Sequence, residues 1–411
     1  MTSDTAAQVS TLRAAAEVIL PDVIQVRRRL HQRPELGLAL PHTQALVAEE
    51  LARLGLDHRL GTGVGSVTAL IDGFRPGRTI ILRADMDALP LGEETGLHFS
   101  SQNEGVMHAC GHDTHVAMLL GAARLLAARS DLFSGRVVLM FQPGEEGFHG
   151  ARYMLEEGLL ELAGEGPDTA AFALHISTKE ATGTINLRPG PLLASADRIT
   201  ITVRGRGGHA SAPHLALDPI AVAAEIVLAL QLMVTRRVDA FDPALVTIAR
   251  VAAGTTNNII PETAVMEGTM RTVSEATRTT VRDLVRRVAQ GIADAHGAGV
   301  EVEIEPGYPV TVNDGPFAAF VRDVAMQIAG AEAVAEMPAP IMGAEDFSYV
   351  LQRVRGAMAF LGARPASEDP ATAPMNHSNR VIFDEPAMAV GVAMHTAVAL
   401  RYLGADARTD A

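Results

Sequence analysis

The stretch from Met107 to His115, with the sequence MHACGHDTH, concentrates side chains that bind metal ions. It holds three histidines, one aspartate and Cys110, the only cysteine of the 411-residue chain. Thiolate and imidazole donors suit borderline cations such as Zn²⁺. One glycine separates Cys110 from His112 and an apolar run follows, so we expect both donors on a loop that leads into a helix. The alternative is an inert thiol, because free cysteine is often a core residue.

Further donor side chains follow other apolar runs of the chain. They are Asp85 and Asp87, Glu145 and Glu146, and His175. Because binding sites of α/β sheets lie at the carboxyl ends of parallel strands, we expect these groups to converge there. Neighbouring side chains diverge, so one glutamate can bind metal while the other serves as a base. A solvated turn is the alternative for the glutamate pair, and a core histidine is the alternative for His175.

The composition limits the possible partners of the protein. The net charge is −14 and no basic tract offsets it, which argues against nucleic-acid binding. One cysteine cannot form a disulfide within the chain, which fits a reducing cytoplasm. The N-terminal residues lack the pattern of a signal peptide, and no apolar run reaches the roughly 20 residues of a membrane helix. We therefore expect a soluble cytoplasmic protein without a membrane partner.

The order of predicted elements indicates an α/β protein with two domains. Helices alternate with strands on both sides of a central segment, which predicts a catalytic α/β domain with a mostly parallel sheet. The central segment has the order β-α-β-β-α-β, which predicts an inserted ferredoxin-like α+β domain. The expected division assigns residues 1–191 and 308–411 to the catalytic domain and residues 192–307 to the insertion.

Eight motifs occur in an order that resembles a known enzyme family. They are RADMDALP (83–90), MHACGHDTH (107–115), FQPGEEG (141–147), ALHI (173–176), GRGGHASAPH (205–214), NIIPETAVMEGTMRT (258–272), MGAEDFS (342–348) and NHS (376–378). Together they resemble the aminoacylase/carboxypeptidase family of binuclear metallohydrolases, in its hippurate hydrolase and auxin-conjugate amidohydrolase branch. The resemblance implies a catalytic α/β domain with an inserted lid or dimerisation domain, in agreement with the predicted division.

The resemblance also implies roles for individual residues. Two divalent ions, which could be Mn, Zn, Co or Ni, would be held by Cys110, His112, Glu146, His175 and His377, with Cys110 bridging them. Glu145 would be the general base, and Asp87 would orient a ligand histidine. His209, from the inserted domain of a partner subunit in a homodimer or tetramer, would stabilise the oxyanion. Asn258 and Arg271 would bind the carboxylate end of the substrate. A turn histidine and a solvated strand residue are the alternatives for His209 and Arg271.

These roles predict a metal-dependent amidohydrolase that releases an amino acid from an N-acyl amino acid, such as a hippurate-like or N-acetyl conjugate. One rival is a dipeptidase or carboxypeptidase on the same fold, and another is a non-catalytic metal- or peptide-binding homologue. A third rival makes Cys110 a nucleophile. We expect His108 and His115 to be structural, and His149 to be a bystander.

Overall fold

The structure, a computed structural model, describes residues 3–404. The α-helices of this range are α1 (Ser3–His31), α2 (Pro41–Arg53), α3 (His112–Ala127), α4 (Gly150–Glu156), α5 (Leu159–Ala163), α6 (Pro219–Arg237), α7 (Glu275–His296), α8 (Gly315–Ala329), α9 (Ser348–Leu351) and α10 (Ala387–Gly404). Its strands are β1 (His58–Leu60), β2 (Val67–Asp72), β3 (Thr79–Asp85), β4 (Arg136–Gln142), β5 (Thr169–Ala181), β6 (Ile185–Leu187), β7 (Gly190–Leu193), β8 (Asp197–Arg204), β9 (Gly208–His209), β10 (Ala244–Ala253), β11 (Ile259–Ile260), β12 (Thr263–Thr272), β13 (Gly299–Pro306), β14 (Thr311–Asn313), β15 (Val334–Glu336) and β16 (Arg355–Arg364).

The described chain forms two compact units. The first combines the residues up to Gly190 with Val312–Pro338 and the residues from Tyr349 onward. The second consists of Pro191–Thr311 and a short returning segment, Ala339–Ser348. The sequence placed the divisions after residues 191 and 307 and gave no sign of the returning segment. That domain division stays a prediction.

The first unit is built on an eight-stranded sheet with the strand order β1-β2-β4-β3-β5-β16-β6-β15. Its central strands β4, β3, β5 and β16 run parallel, and Leu82 of β3 pairs with Leu139 of β4 and Phe172 of β5. These strands are almost continuously apolar and buried, as parallel strands covered on both faces must be. The predicted mostly parallel sheet is confirmed. Its carboxyl edge carries the candidate donor side chains.

The second unit is an antiparallel sheet with the order β10-β12-β8-β13, together with helices α6 and α7. Along the chain these elements follow as β-α-β-β-α-β, so the predicted ferredoxin-like α+β insertion is confirmed. Asp218 caps α6 by accepting a hydrogen bond from the Ile220 N–H, and Ser274 caps α7 by accepting one from Thr277. The apolar faces of both helices and of the sheet form one separate core.

Two helices of residues 3–404 match a membrane span in length and composition. The most apolar window of α6 has a mean hydropathy of 1.6, and that of α10 has 1.2. Burial explains α10, because 83% of its window lies inside the protein, as expected for a core helix. The window of α6 is 33% buried, and its other face is exposed.

A buried ionic network joins α1 to the first turn of α3, the helix that begins at His112. The Arg27 Nε and the His31 Nδ1 each donate a hydrogen bond to Oδ2 of Asp113, both at 2.9 Å. The His31 Nε2 lies 3.3 Å from Oε1 of Glu93. Burial alone would lower the pKa of His31, but the carboxylates of Asp113 and Glu93 outweigh it and raise this pKa. His31 is therefore an imidazolium that fixes the start of α3 to α1.

The network predicts a stability that depends on pH. Folding raises the pKa of His31, so its stabilisation is complete below the ordinary value of 6.5 and is lost as the pH rises through the raised value. We expect His31→Gln to lower the free energy of unfolding by about 1–3 kcal/mol near neutral pH, and by less in alkali. Urea denaturation of the metal-free protein across this range measures the difference.

The exposed histidine His42 provides a matched control, because its imidazole makes none of these contacts. We expect His42→Gln to unfold as the parent does at each pH. A constant difference between parent and His31→Gln at every pH would show that His31 is neutral in the folded protein.

Candidate metal centre

Cys110 lies at the centre of the candidate site. Its Sγ is 3.4 Å from Nε2 of His175 and 3.3 Å from Nε2 of His377. Two groups of donor atoms, each within 4.8 Å of one another, share this sulfur. Site 1 comprises Cys110, His112 and His175, and site 2 comprises Cys110, Glu146 and His377. The structure thus brings together the five candidate ligands in two adjoining groups that share the sulfur of Cys110.

The imidazoles of site 1 present the correct nitrogen for a metal. Nδ1 of His112 donates to the carbonyl oxygen of Asp87 at 2.8 Å, and Nδ1 of His175 donates to the carbonyl oxygen of Ile176 at 2.7 Å. Because a carbonyl only accepts, each Nδ1 carries a proton, and Nε2 is the nitrogen that remains available to a metal ion. Nε2 of His112 is buried and makes no hydrogen bond. A divalent ion would satisfy this buried nitrogen, so the residues fit a metal.

The electrostatics of the site also favour a cation. Burial raises the pKa of the Cys110 thiol to about 12. Burial disfavours a charged His112, but the nearby Asp85 and Cys110 outweigh it and raise the pKa of this imidazole. A cysteine nucleophile needs a lowered pKa, so the rival role for Cys110 is disfavoured. A bound divalent ion, by contrast, deprotonates a coordinating thiol outright.

Asp87 fixes the loop that carries the two glutamates. Its carboxylate accepts hydrogen bonds from the main-chain N–H groups of Glu145 at 2.9 Å and Glu146 at 3.0 Å. The sequence assigned this side chain to a ligand histidine. Oδ1 of Asp87 lies 3.6 Å from Nδ1 of His112, and the main-chain carbonyl of Asp87 accepts a hydrogen bond from the same nitrogen at 2.8 Å. The orienting role of Asp87 stays a prediction. Glu145 is 7% exposed, and its carboxylate lies within 4.8 Å of the donor atoms of His112 and Glu146. It is placed beside the ligands, as a base must be.

A buried chain of hydrogen bonds runs from Arg83 through Asp85 and His115 to the main chain of Ile176, next to site 1. Nδ1 of His115 donates to Asp85, and Nε2 of His115 accepts the N–H of Ile176 at 2.7 Å. Arg83 donates to Asp85 at 2.6 Å, and burial, which would raise the pKa of Asp85, is outweighed by Arg83 and the neighbouring histidines. Both ring nitrogens of His115 are therefore engaged. His115 holds the Ile176 segment and is structural, as expected.

The remaining candidates of the first unit occupy distinct positions. His377 has a left-handed backbone with φ of 70°, and its side chain is 54% exposed. His149 also has a positive φ, of 60°, and its Nδ1 lies 3.0 Å from the Tyr349 hydroxyl. This contact links the end of the glutamate loop to α9, so His149 has a structural contact there. His108 is buried, and burial lowers its pKa to about 3, so it is neutral and structural.

The three candidate substrate-binding residues lie in the second unit. His209 and Asn258 are exposed and close together, because β9 and β11 pair and the Ala210 N–H donates to the carbonyl of Asn258. Nδ1 of His209 accepts from the Ser211 N–H at 3.1 Å, which leaves Nε2 as the donor. Arg271 is partly buried in β12, opposite Leu245 of β10. The structure thus places His209 and Asn258 together beside the β9–β11 pair, and it places Arg271 on the four-stranded sheet of the second unit.

Several supporting residues were not assigned a role from the sequence. They are Arg27, Arg83, Asp113, Ile176 and Asn376. All of them except Arg27 stand inside the recognised motifs, which is the only signal that marks them. The contribution of Ile176 comes from its main chain, which no residue type reveals.

Comparisons with known proteins agree with this geometry. Residues 81–401 match Peptidase family M20/M25/M40. Thermostable carboxypeptidase 1 of Saccharolobus solfataricus is 41% identical over 384 residues, which cover 92% of this chain and 95% of that protein. N-acetyl-L-cysteine deacetylase of Bacillus subtilis is 40% identical over 340 residues, which cover 83% of this chain and 80% of that protein.

A solved structure of similar fold extends the agreement. It is a Bacillus subtilis protein described as a dinuclear metal-binding peptidase of the M20 family, with a TM-score of 0.80 and 34% identity over 94% of this chain and 99% of that one. The predicted class, a metal-dependent amidohydrolase related to the aminoacylases and carboxypeptidases, is confirmed at the level of the family. The chain belongs to peptidase family M20/M25/M40.

Proposed function

We propose that the protein hydrolyses the linear amide bond of N-acyl amino acids and releases a carboxylic acid and a free amino acid. The observation that carries this proposal is the pair of donor sets sharing Cys110, with the carboxylate of Glu145 beside them. The deacetylase relative, which acts on N-acetyl-L-cysteine by its name, supports an N-acyl amino acid as substrate. A carboxypeptidase is the second candidate, because the archaeal relative of 41% identity carries that name.

Sites 1 and 2 would each hold one divalent ion. The donors are a thiolate, imidazoles and a carboxylate, a mixed set that accepts Mn, Zn, Co or Ni. When bound, the ions lower the pKa of water and polarise the substrate carbonyl. Asp87 keeps Glu145 and Glu146 at a fixed distance from the histidines through their main-chain N–H groups.

Glu145 would move the proton. It accepts a proton from the attacking water and delivers it to the nitrogen of the leaving amine, so the carboxylate is regenerated in each cycle. A protein that only binds metal or peptide has no use for this base, and its presence beside the ligands disfavours the non-catalytic rival. His209 would donate its Nε2–H to the developing oxyanion, and Asn258 with Arg271 would bind the substrate carboxylate.

The second unit would also form a homodimer or tetramer, with His209 acting on the partner subunit. Its edge strand β10 and helix α6 expose large apolar side chains: Ile220 (44%), Leu228 (71%), Leu232 (61%), Leu245 (46%) and Val251 (58%). The opposite edge strand, β13, exposes three glutamates, which discourage strand pairing. This asymmetry supports β10 and α6 as the interface. The single cysteine supports a cytoplasmic location.

Glu145→Gln tests the base. Glutamine has nearly the same shape but cannot accept the proton, so we expect the kcat to fall about 10²–10⁴-fold. Metal content, measured by elemental analysis, should equal that of the parent, because the ligands are unchanged. Glu104→Gln, an exposed change of the same charge, is the control and should keep full activity. A fully active Glu145→Gln enzyme would remove Glu145 from the mechanism.

A substrate panel separates the two candidate activities. We expect the metal-loaded protein to cleave N-acetyl and N-benzoyl amino acids with higher kcat/KM than unblocked dipeptides of the same C-terminal residue. A chelator should abolish both reactions, and Mn²⁺, Zn²⁺, Co²⁺ or Ni²⁺ should restore them. Preference for dipeptides would establish the carboxypeptidase, while turnover that survives removal of the metal would contradict the two-ion mechanism.

A double variant tests the interface. We expect Leu228→Glu with Leu232→Glu to convert the oligomer into monomers in sedimentation velocity, because four charges would have to be buried at a two-fold contact. The monomer should lose about 10²–10³-fold in kcat, since it lacks the His209 of a partner. Leu132→Glu, at an equally exposed leucine of the first unit, should change neither quantity. A fully active monomer would contradict the role of His209 across the interface.

A further inference from the structure

Asn376 stands directly before the candidate ligand His377 and uses every part of its amide group. Its Nδ2 donates to the carbonyl oxygen of Cys110 at 3.1 Å and to that of Ile176 at 3.0 Å. Its Oδ1 accepts the main-chain N–H of Thr178 at 3.3 Å. One side chain thus joins three separate chain segments that carry candidate ligands.

Both carbonyl groups that accept from Asn376 belong to the main chain at or beside candidate ligands. The first belongs to Cys110, the residue that sites 1 and 2 share. The second, on Ile176, also accepts the Nδ1–H of His175 and so orients that imidazole. Asn376 therefore helps to fix the main chain at Cys110 and beside His175.

Site 2 depends on this side chain more than site 1 does. His112 is buried, begins helix α3 and is oriented by the carbonyl of Asp87. His377 has no helix or strand around it, a left-handed backbone and a half-exposed side chain. Its loop is held by the His377 N–H, which donates to the carbonyl of Ala109, by the Thr178 hydroxyl, which donates to the carbonyl of Pro374, and by the three hydrogen bonds of the adjacent Asn376.

Asparagine is the residue type that this position requires. Its amide offers two N–H donors for two carbonyl groups and one acceptor for an N–H. Aspartate has the same shape but only acceptors, so it would face both carbonyls with lone pairs and a negative charge. A substitution of nearly equal volume can therefore remove the contacts without creating a cavity.

We propose that Asn376 is a positioning residue that sets the affinity of site 2 for its ion. The inference rests on the two-ion centre of the proposed function and assigns to Asn376 no direct part in the reaction. Loss of its two donated hydrogen bonds frees the loop of His377, whereas in site 1 His112 stays held at the start of α3 and His175 stays held within β5. The protein would then hold one ion tightly and the other weakly.

Titration of the metal-free protein with Co²⁺ tests the proposal. We expect calorimetry to resolve two binding events in the parent. In Asn376→Asp and Asn376→Ser the tighter event should persist and the weaker should lose about 10–100-fold in affinity, the usual effect of removing a group that supports metal ligands. The absorption band from thiolate to Co²⁺ should still appear with the first equivalent, because Cys110 remains a ligand of site 1.

Thr178→Val is the matched control. It removes the hydrogen bond from the Thr178 hydroxyl to the carbonyl of Pro374 in the same loop and keeps the N–H that Asn376 accepts. We expect this variant to bind both ions as the parent does. The same loss in Thr178→Val, or parent-like binding of two ions by both Asn376 variants, would overturn the proposal.

The metal-free variants are first compared with the parent by thermal denaturation, and the serine variant replaces the aspartate variant if the latter does not fold. A parent that binds fewer than two Co²⁺ ions would contradict the two-ion centre itself, and this inference with it. A parent that binds two ions, with Asn376 variants that also bind two as the parent does, would contradict only the role of Asn376 and leave the two-ion centre standing.

Discussion

The Sγ atom of Cys110 lies between two histidines at 3.4 and 3.3 Å, in surroundings where burial raises its pKa to about 12. A buried thiol in this position is protonated unless positive charge is brought to it. The same atom belongs to both donor sets, so neither set is complete without it. Four further candidate donors lie around this sulfur, on other segments of the first unit.

These donors are held in place mainly by main-chain groups. The carbonyl groups of Asp87 and Ile176 set the tautomers of two imidazoles, and the N–H groups of Glu145 and Glu146 are held by one carboxylate. Main-chain groups at the ends of buried strands have little freedom, because the sheet on both sides is packed. The candidate ligands therefore take their positions from the packed sheet.

The second unit leaves one side of its sheet edge and one helix face apolar and exposed. Its own core is closed by α6, α7 and one face of the sheet, yet large apolar side chains stay exposed on α6 and on the edge strand β10. The other edge is protected by glutamates. This one-sided distribution supports the proposed association through α6 and β10, since an exposed apolar edge without a partner favours aggregation.

Much of the fold was predictable because strand and helix patterns are local. The buried runs of β3 and β4 are continuous, the caps Asp218 and Ser274 stand where helices begin, and the β-α-β-β-α-β order can be counted along the chain. The short strands β6, β7 and β15 were not predicted. Three or four residues carry too little periodicity, and their pairing depends on partners far away in the sequence.

The candidate ligands and the base could be named from the sequence, because thiol, imidazole and carboxylate groups are rare, chemically distinct and arranged in recognisable motifs. What only the tertiary structure decided is how these groups are oriented. It showed that the carboxylate of Asp87 also holds the glutamate loop, and it gave Ile176 and Asn376 their supporting parts. The physical reason is that orientation comes largely from main-chain carbonyl and N–H groups. These are the same in nearly every residue, so only their positions in space distinguish them.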